Sequence, residues 1–435
     1  MTESLGQRWR NLGYAAGAAV AVPFAAWDLY KWVEAYTSDH FHNDFTFYVV
    51  AARIGVTHGW KSIYDLSLQQ VELKAMGSQI NIAELARYIS PPPVAWLALP
   101  LAPLPYEVGY WVWSGLLLAA LVGTWYLAAP GIGRWRLVHI AAAVGWLPVI
   151  YTLQLGQPGL FVALGVATCY ALLRSGRPFW AGCALAVLAL KPQLAFLVPA
   201  ALLVSGRTRA FWGSAVALGL LAAASAITLG PSGVAAYEAR LSFAAGVPVN
   251  RELTLAPLMG NLAITRAIQA AIALWALFLV YRLRRRGPEW IFIPPLVGGL
   301  LASPYLHLDD LAMLGLAAWL YLRTSPRGWS LGFMFAVAIA VEGIPFWGPL
   351  PALAGELATL VLLSVASPRQ DEGGHSPWRP SPSTNRLAPA PASPESSTSS
   401  PARYSARAAS SGFNDHWVST LWRSARRAPC GSPAI

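Results

Sequence analysis

Apolar runs, most of them near the ~20 residues that cross a bilayer, follow one another from Leu12 to about residue 366. A soluble core needs far fewer and shorter runs than this. Charged residues make up 12% of the chain and hydrophobic residues 56%, against a charged share of roughly 25% in soluble domains. The pattern predicts an all-α polytopic membrane protein, a bundle of about 12 transmembrane helices. The first span runs from about Leu12 to Trp32. Others fall near 106–129, 137–153, 158–174, 179–190, 193–204, 210–229, 258–281, 290–303, 309–322, 329–345 and 351–366. The pair 179–190 and 193–204 is short, and Pro192 breaks the helix between them. It reads as two crossings or as one re-entrant hairpin.

The charges between the runs set the orientation. Arg8/Arg10, Arg134/Arg136, Arg174/Arg177, Arg207/Arg209, Arg282 to Arg286 and Arg323/Arg327 all fall on one side of the predicted membrane. By the positive-inside rule that side is cytoplasmic, as are both termini. Asp39, Asp44, Asp65, Glu72, Glu84, Glu107, Glu238, Glu252, Asp309, Asp310 and Glu342 fall on the other side. A multi-pass protein of the cell (inner or plasma) membrane is expected. The net charge of +11 is spread over topology signals, so it predicts contact with membrane lipids and no nucleic-acid partner. The apolar stretch after Arg10 is too long for a cleaved leader and predicts a retained first span. Cys169, Cys183 and Cys430 are too scattered for a zinc knuckle or a disulfide framework.

Residues 1–366 therefore form a transmembrane domain, with an external loop at 34–93. Helix-like apolar spacing from Phe45 to Ile63 predicts interfacial helices in that loop. Val94 to Leu104, apolar but short, reads as a partly inserted segment. Residues 367–435, rich in Pro, Ser, Ala and Arg, cannot bury enough apolar surface to order themselves and predict a disordered basic cytoplasmic tail. Its Trp417 to Trp422 stretch, before Arg423, Arg426 and Arg427, reads as a solvated segment or a weak membrane contact.

Few polar residues stand outside, and each has an ordinary structural alternative. Asp44, in His40-Phe-His-Asn-Asp44-Phe-Thr-Phe-Tyr48, is either a helix cap or a partly desolvated carboxylate suited to general-base work. The His40-x-His42-x-Asp44 string is a weak metal pattern, and no metal is expected. Ser303-Pro-Tyr-Leu-His307-Leu-Asp309-Asp310 opens a span. On a helix Ser303, His307 and Asp310 would share a face, with Asp309 about 100° away. The two carboxylates are either caps or functional groups. Lys191 sits in apolar sequence and must snorkel or reach an anionic partner, for which a phosphate is the natural choice. Gln154 and Gln157 fit either an ordinary turn or amides that bind sugar hydroxyls. Asn250-Arg251-Glu252 adds charge to an external loop.

Together these motifs resemble glycosyltransferase family 87. The resemblance is carried by Asp44-Phe-Thr-Phe-Tyr48 with Ala51-Ala52, Gly59, Ile63-Tyr64-Asp65, and Tyr88-Ile-Ser-Pro91-Pro92-Pro93. Gly156-Gln157, Lys191-Pro-Gln193, and Ser303-Pro304 followed by Asp310 complete it. It spans about residues 10–365. Ile89-Ser90 replaces a shorter link, and Asp309 stands where a histidine or another polar residue is expected, which passes any histidine role to His307.

The resemblance implies a GT-C-like, polyprenol-phosphate-mannose-dependent sugar transferase with a membrane-embedded site. The donor would be a polyprenyl-phosphate sugar and the acceptor a lipid or glycan. Asp44 would be the base, with His307 and Asp310 orienting the reactants. Lys191 or Arg251 would meet the donor phosphate, and Asp309, Gln157 and Tyr48 would bind substrate. No glycine-rich nucleotide loop is present, so no cofactor is expected. The alternative is a lipid or solute flippase of the cell envelope, but a transporter concentrates polar groups at mid-membrane. In a cysteine-free background, a single cysteine at position 42 should label from outside and one at 284 should not; the reverse labelling would overturn this orientation.

Overall fold

The computed structural model describes residues 5–83, 86–131, 133–326 and 328–366. Expectations for the 367–435 tail, Glu84 and Arg327 lie outside the described residues. All regular structure among the described residues is helical.

The chain starts with α1 (Leu5–Ser38), α2 (Asp44–Thr57), α3 (Leu66–Ala75), α4 (Pro92–Ala98) and α5 (Tyr106–Ala128). Next come α6 (Arg136–Val144), α7 (Leu147–Leu155), α8 (Gly159–Arg174), α9 (Pro178–Cys183), α10 (Leu197–Val204) and α11 (Thr208–Gly246). The remainder is α12 (Ala256–Met259), α13 (Leu262–Leu283), α14 (Glu289–Leu301), α15 (Ala312–Leu322), α16 (Gly328–Glu342), α17 (Ile344–Trp347) and α18 (Leu350–Val365).

Nearly every expected span is a helix. Among the described residues four are long and apolar enough to cross a membrane: Asn11–Ser38, Tyr106–Ala128, Thr208–Gly246 and Leu262–Leu283. The α6–α7 pair, bent by 61°, makes a fifth if it counts as one span. Several others, including α8, α14, α16 and α18, are apolar helices of 10–17 residues, and α10 is shorter still. Broken and short helices suit positions shielded by protein, where neighbouring groups satisfy the freed backbone. The outer faces are apolar as well: Ile227 is 80% exposed, and Leu220 and Leu274 are each 68% exposed. Such a surface is expected against lipid rather than water.

The breaks have local causes. Lys191 is extended (φ −153°, ψ 77°) ahead of Pro192, so the 178–204 segment is interrupted where the sequence predicts. Gly230 adopts φ 62° before Pro231 and kinks α11, which then runs on to Gly246. Helix α14 is buried from Trp290 to Leu301 and forms the centre of the bundle.

In the loop between α1 and α5, helix α2 departs from expectation. Helix α2 is enclosed by protein, with Phe45 through Ala52 buried continuously. An interfacial helix would leave one face to lipid or water. Here Phe45 is covered by Tyr106, Tyr110 and Trp113, at centroid distances of 5.4–6.1 Å.

Backbones approach most closely where α9 crosses α11. A Cβ on Gly182 would lie 1.8 Å from the Ala210 carbonyl oxygen, and one on Gly213 would lie 2.2 Å from that of Phe179. Small residues permit this contact, as in other membrane helix pairs. Gly182→Ala should therefore force the helices apart and cost about 1–3 kcal/mol, read as a lower unfolding midpoint in detergent. Gly219→Ala, which meets nothing within 4 Å, should leave the midpoint unchanged or raise it.

Candidate active site

Four interruptions of helical structure meet at one place: the α1–α2 turn, the α7–α8 turn, the break at Lys191 and the Ser303–Leu311 segment. Each contributes a side chain that the sequence singles out.

Asp44 is the first residue of α2, but it is not the cap. Asn43 accepts from the Thr46 amide at 3.2 Å and serves that purpose. The Asp44 carboxylate is therefore free for other partners, and its Oδ2 accepts a hydrogen bond from the Gln157 amide. Gln157 is itself held by Tyr48, whose hydroxyl donates to Oε1 at 3.2 Å. The tight turn at Gly156 makes this possible. Its φ of 70° suits glycine, and a Cβ there would stand 2.9 Å from the Phe45 Cβ. Trp113 Nε1 donates to the Gly156 carbonyl at 2.7 Å and fixes the turn.

Lys191 does not snorkel. It is buried, and Nζ pairs with Asp309 Oδ2 at 2.5 Å and with Asp310 Oδ1. Both carboxylates are buried too. The sequence reading gave Lys191 to a phosphate, but the partner it finds is this carboxylate pair, 118 residues away for Asp309. The expectation that Asp309 diverges from Asp310 also fails. Ser303–His307 is not helical; only a 3-10 turn at Leu308–Leu311 forms, and it turns both carboxylates toward one ammonium. Capping holds for Asp310, whose Oδ2 accepts the His307 amide at 2.9 Å. Asp309 keeps one oxygen, Oδ1, without a hydrogen-bond partner.

His307 Nε2 lies 2.8 Å from Asn250 Oδ1. Asn250 Nδ2 donates to the Ala244 carbonyl at 2.7 Å, which fixes the amide orientation. Nε2 therefore carries the ring proton, and Nδ1 is the ring's acceptor. The loop is pinned further by Leu306, whose amide donates to the Asn250 carbonyl at 3.2 Å. Arg251 follows Asn250, half-buried, at the end of this turn.

Electrostatics ties these groups together. Burial pushes the half-buried Asp44 carboxyl up to about 6, and the charge of Asp309 adds to the rise. His307, Lys191 and the Gln157 hydrogen bond oppose it. Burial lowers the His307 pKa, and Lys191 reinforces that, against the pull of Asp309. The imidazole is thus neutral at pH 7, while Asp44 is mostly ionised and still basic enough to accept a proton.

The structure thus brings Asp44, Tyr48, Gln157, Lys191, His307, Asp309 and Asp310 to one site, with Arg251 on its bounding loop. Sequence reasoning gave no role to Asn250, Tyr151 or Tyr305. Both tyrosines lie in the field of Asp44 and Asp309, and Asn250 was passed over beside its charged neighbours. The His40–His42–Asp44 string does not converge: His42 pairs with Asp39 at 2.9 Å, while Asp44 turns to Gln157. Among the described residues no three His, Cys, Asp or Glu side chains gather as metal ligands would.

Removing Lys191 strands two buried carboxylates, which typically costs about 3–5 kcal/mol. Lys191→Met should therefore lower the unfolding midpoint sharply, and adding Asp309→Asn with Asp310→Asn should restore much of it. A Lys191→Met protein as stable as wild type would dismiss the pair as a structural tie.

Searches of curated proteins and of solved structures found no match to this chain. Over residues 88–304, which include Gln157, Lys191, Asn250 and Arg251 and stop short of His307, the chain matches the model of glycosyltransferase family 87.

Proposed function

We propose that this chain is a membrane glycosyltransferase that moves a sugar, mannose by the sequence resemblance, from a polyprenyl-phosphate donor to a lipid or glycan hydroxyl. The carrying observation is Asp44, a half-buried carboxylate that caps nothing, is oriented by Gln157, and is pushed up to about 6. The family match supports the transferase reading. The full proposal places about twelve spans in a GT-C-like bundle, with the site on the extracytoplasmic side and both termini in the cytoplasm.

In the reaction the acceptor hydroxyl loses its proton to Asp44. The resulting oxygen attacks the anomeric carbon while the bond from that carbon to the phosphate oxygen breaks. Polyprenyl phosphate leaves from the opposite face with the bonding electron pair, so the configuration inverts. His307, neutral and with Nδ1 as acceptor, receives a substrate hydroxyl. Asp309 and Asp310 are occupied by Lys191, so Asp310 acts by positioning His307 and the ammonium. With Lys191 committed inside the protein, Arg251 is the cation left for the phosphate. Tyr48 holds Gln157 in register.

The test is transfer from purified polyprenyl-phosphate mannose, with no sugar nucleotide present, by wild type and Asp44→Asn. Because Asn43 supplies the cap, the variant should fold normally and lose 10²-fold or more, the scale of general-base contributions. A nearly active variant would remove Asp44 from the chemistry. The pH profile gives the sign. A base must be ionised, so kcat/KM should fall about tenfold per pH unit below the Asp44 pKa near 6 and level off above it.

A further inference from the structure

The end of the bundle away from the carboxylate site holds a second polar feature. Helix α8 begins two residues after Gln157 and ends at Arg174, which separates the two by about 24 Å at 1.5 Å per residue. Helix α14 spans a similar distance, from Glu289 up to the turn that leads to Ser303. Where α8 ends, α11 begins and α14 begins, a cavity of about 300 Å³ opens, lined by Leu173, Arg174, Arg207, Pro288 and Ile291. That is the small end of the range for ligand pockets, enough for a headgroup and too small for a whole lipid.

Charge and surface together identify the occupant. Both lining arginines are exposed. The acid beside them, Glu289, is already engaged: Tyr170 donates to it at 2.6 Å, and Arg323 stands 3.9 Å away. Arg174 donates to the Tyr170 hydroxyl at 3.2 Å and lies over the Tyr170 ring at 5.5 Å, and it makes no ion pair with Glu289 among the described residues. Arg284 and Arg286 nearby lie over Tyr281 and Trp290. The cavity mouth therefore carries excess positive charge over an apolar floor. At the same end Trp180, near the start of α9, and Trp212, near the start of α11, are exposed, as tryptophans are at the headgroup level of a membrane. A soluble anion would need the arginines alone. The apolar walls and the flanking tryptophans fit a phosphate that is attached to a lipid.

We propose that this cavity binds the phosphate of an anionic membrane phospholipid, with Arg174 and Arg207 gripping the headgroup and the acyl chains lying outside on the apolar face of the bundle. The site is distinct from the one that holds Asp44, and it stands whether or not the transferase reading does.

The experiment places the full chain in nanodiscs of equal phosphatidylglycerol and phosphatidylcholine, then reads retained lipid by native mass spectrometry after transfer to detergent. Wild type should keep phosphatidylglycerol over phosphatidylcholine by about thirtyfold, on the scale of two arginine contacts at a lipid surface. R174Q/R207Q should lose this preference, while R177Q/R209Q, which removes equal charge from outside the cavity, should keep it. Equal loss in both pairs would reduce the effect to general surface charge and overturn the site. Retention in R174Q/R207Q would do the same. Excess inorganic phosphate should not displace the lipid; displacement would mean the cavity takes free phosphate, and the lipid assignment would fall.

Discussion

One ammonium between two carboxylates holds the candidate site in place. Lys191 lies at a break in one stretch of helix, and Asp309 and Asp310 lie at the start of another. Burying any of the three alone would be strongly unfavourable, and the pairing makes their burial tolerable rather than especially stabilising. The rest of the irregular backbone follows from that tie. Thr152 donates to the Asp309 carbonyl at 3.2 Å, and Gln269 donates to the Ser303 carbonyl at 2.7 Å. Trp113 closes the Gly156 turn. Unwound chain is acceptable inside an apolar bundle only where such partners replace the missing helical hydrogen bonds, so the interruptions gather where the polar side chains are.

The same neighbourhood gives its carboxylates different tasks. Asp309 and Asp310 are fully enclosed and committed to Lys191, whereas Asp44 is half-buried and meets a neutral amide. Protonating a carboxylate that shares a buried cation would loosen the pair that holds the site together. One held by an amide can take up and release a proton at little structural cost. Divergent environments of this kind are how one site separates a base from its supports. The contrast rests on partners as much as on burial, which is why the proposed reaction gives Asp44 and Asp310 different roles although both carry the same functional group.

Much of this was legible in the sequence, and what was not has a common cause. Apolar runs located the helices because hydrophobic spacing is local, and Pro192 marked a real break for the same reason, whereas the span expected to end at 229 runs on through the Gly230 kink to Gly246. Asp44, Gln157, Lys191, His307 and the Asp309–Asp310 pair stood out because polar groups in apolar surroundings are costly. Their pairing was not legible, since nothing local says that Lys191 will meet residues more than a hundred positions away. The burial of α2 from Phe45 to Ala52 was hidden too: spacing reports one apolar face, and burial on both faces depends on what packs against the other. The Asn43 cap was missed because Asp44 beside it is an equally good capping residue. Span counting was least secure where helices are short, because length reports crossing only for helices that face lipid.

The charge balance of the site bears on the proposed reaction. Asp44, Asp309 and Asp310 gather around one ammonium, that of Lys191, so acidic groups outnumber basic ones at the site. That is a poor place for a phosphate and a good one for the positive charge that grows on an anomeric carbon as its bond to the leaving group stretches. In the proposed reaction the donor therefore enters with its sugar toward the carboxylates and its phosphate toward the boundary, where Arg251 stands on the loop pinned by Asn250. Proton removal by Asp44 then occurs on the face opposite departure, as inversion requires. An arrangement with the phosphate beside Lys191 would have to break a buried ion pair before any chemistry could begin.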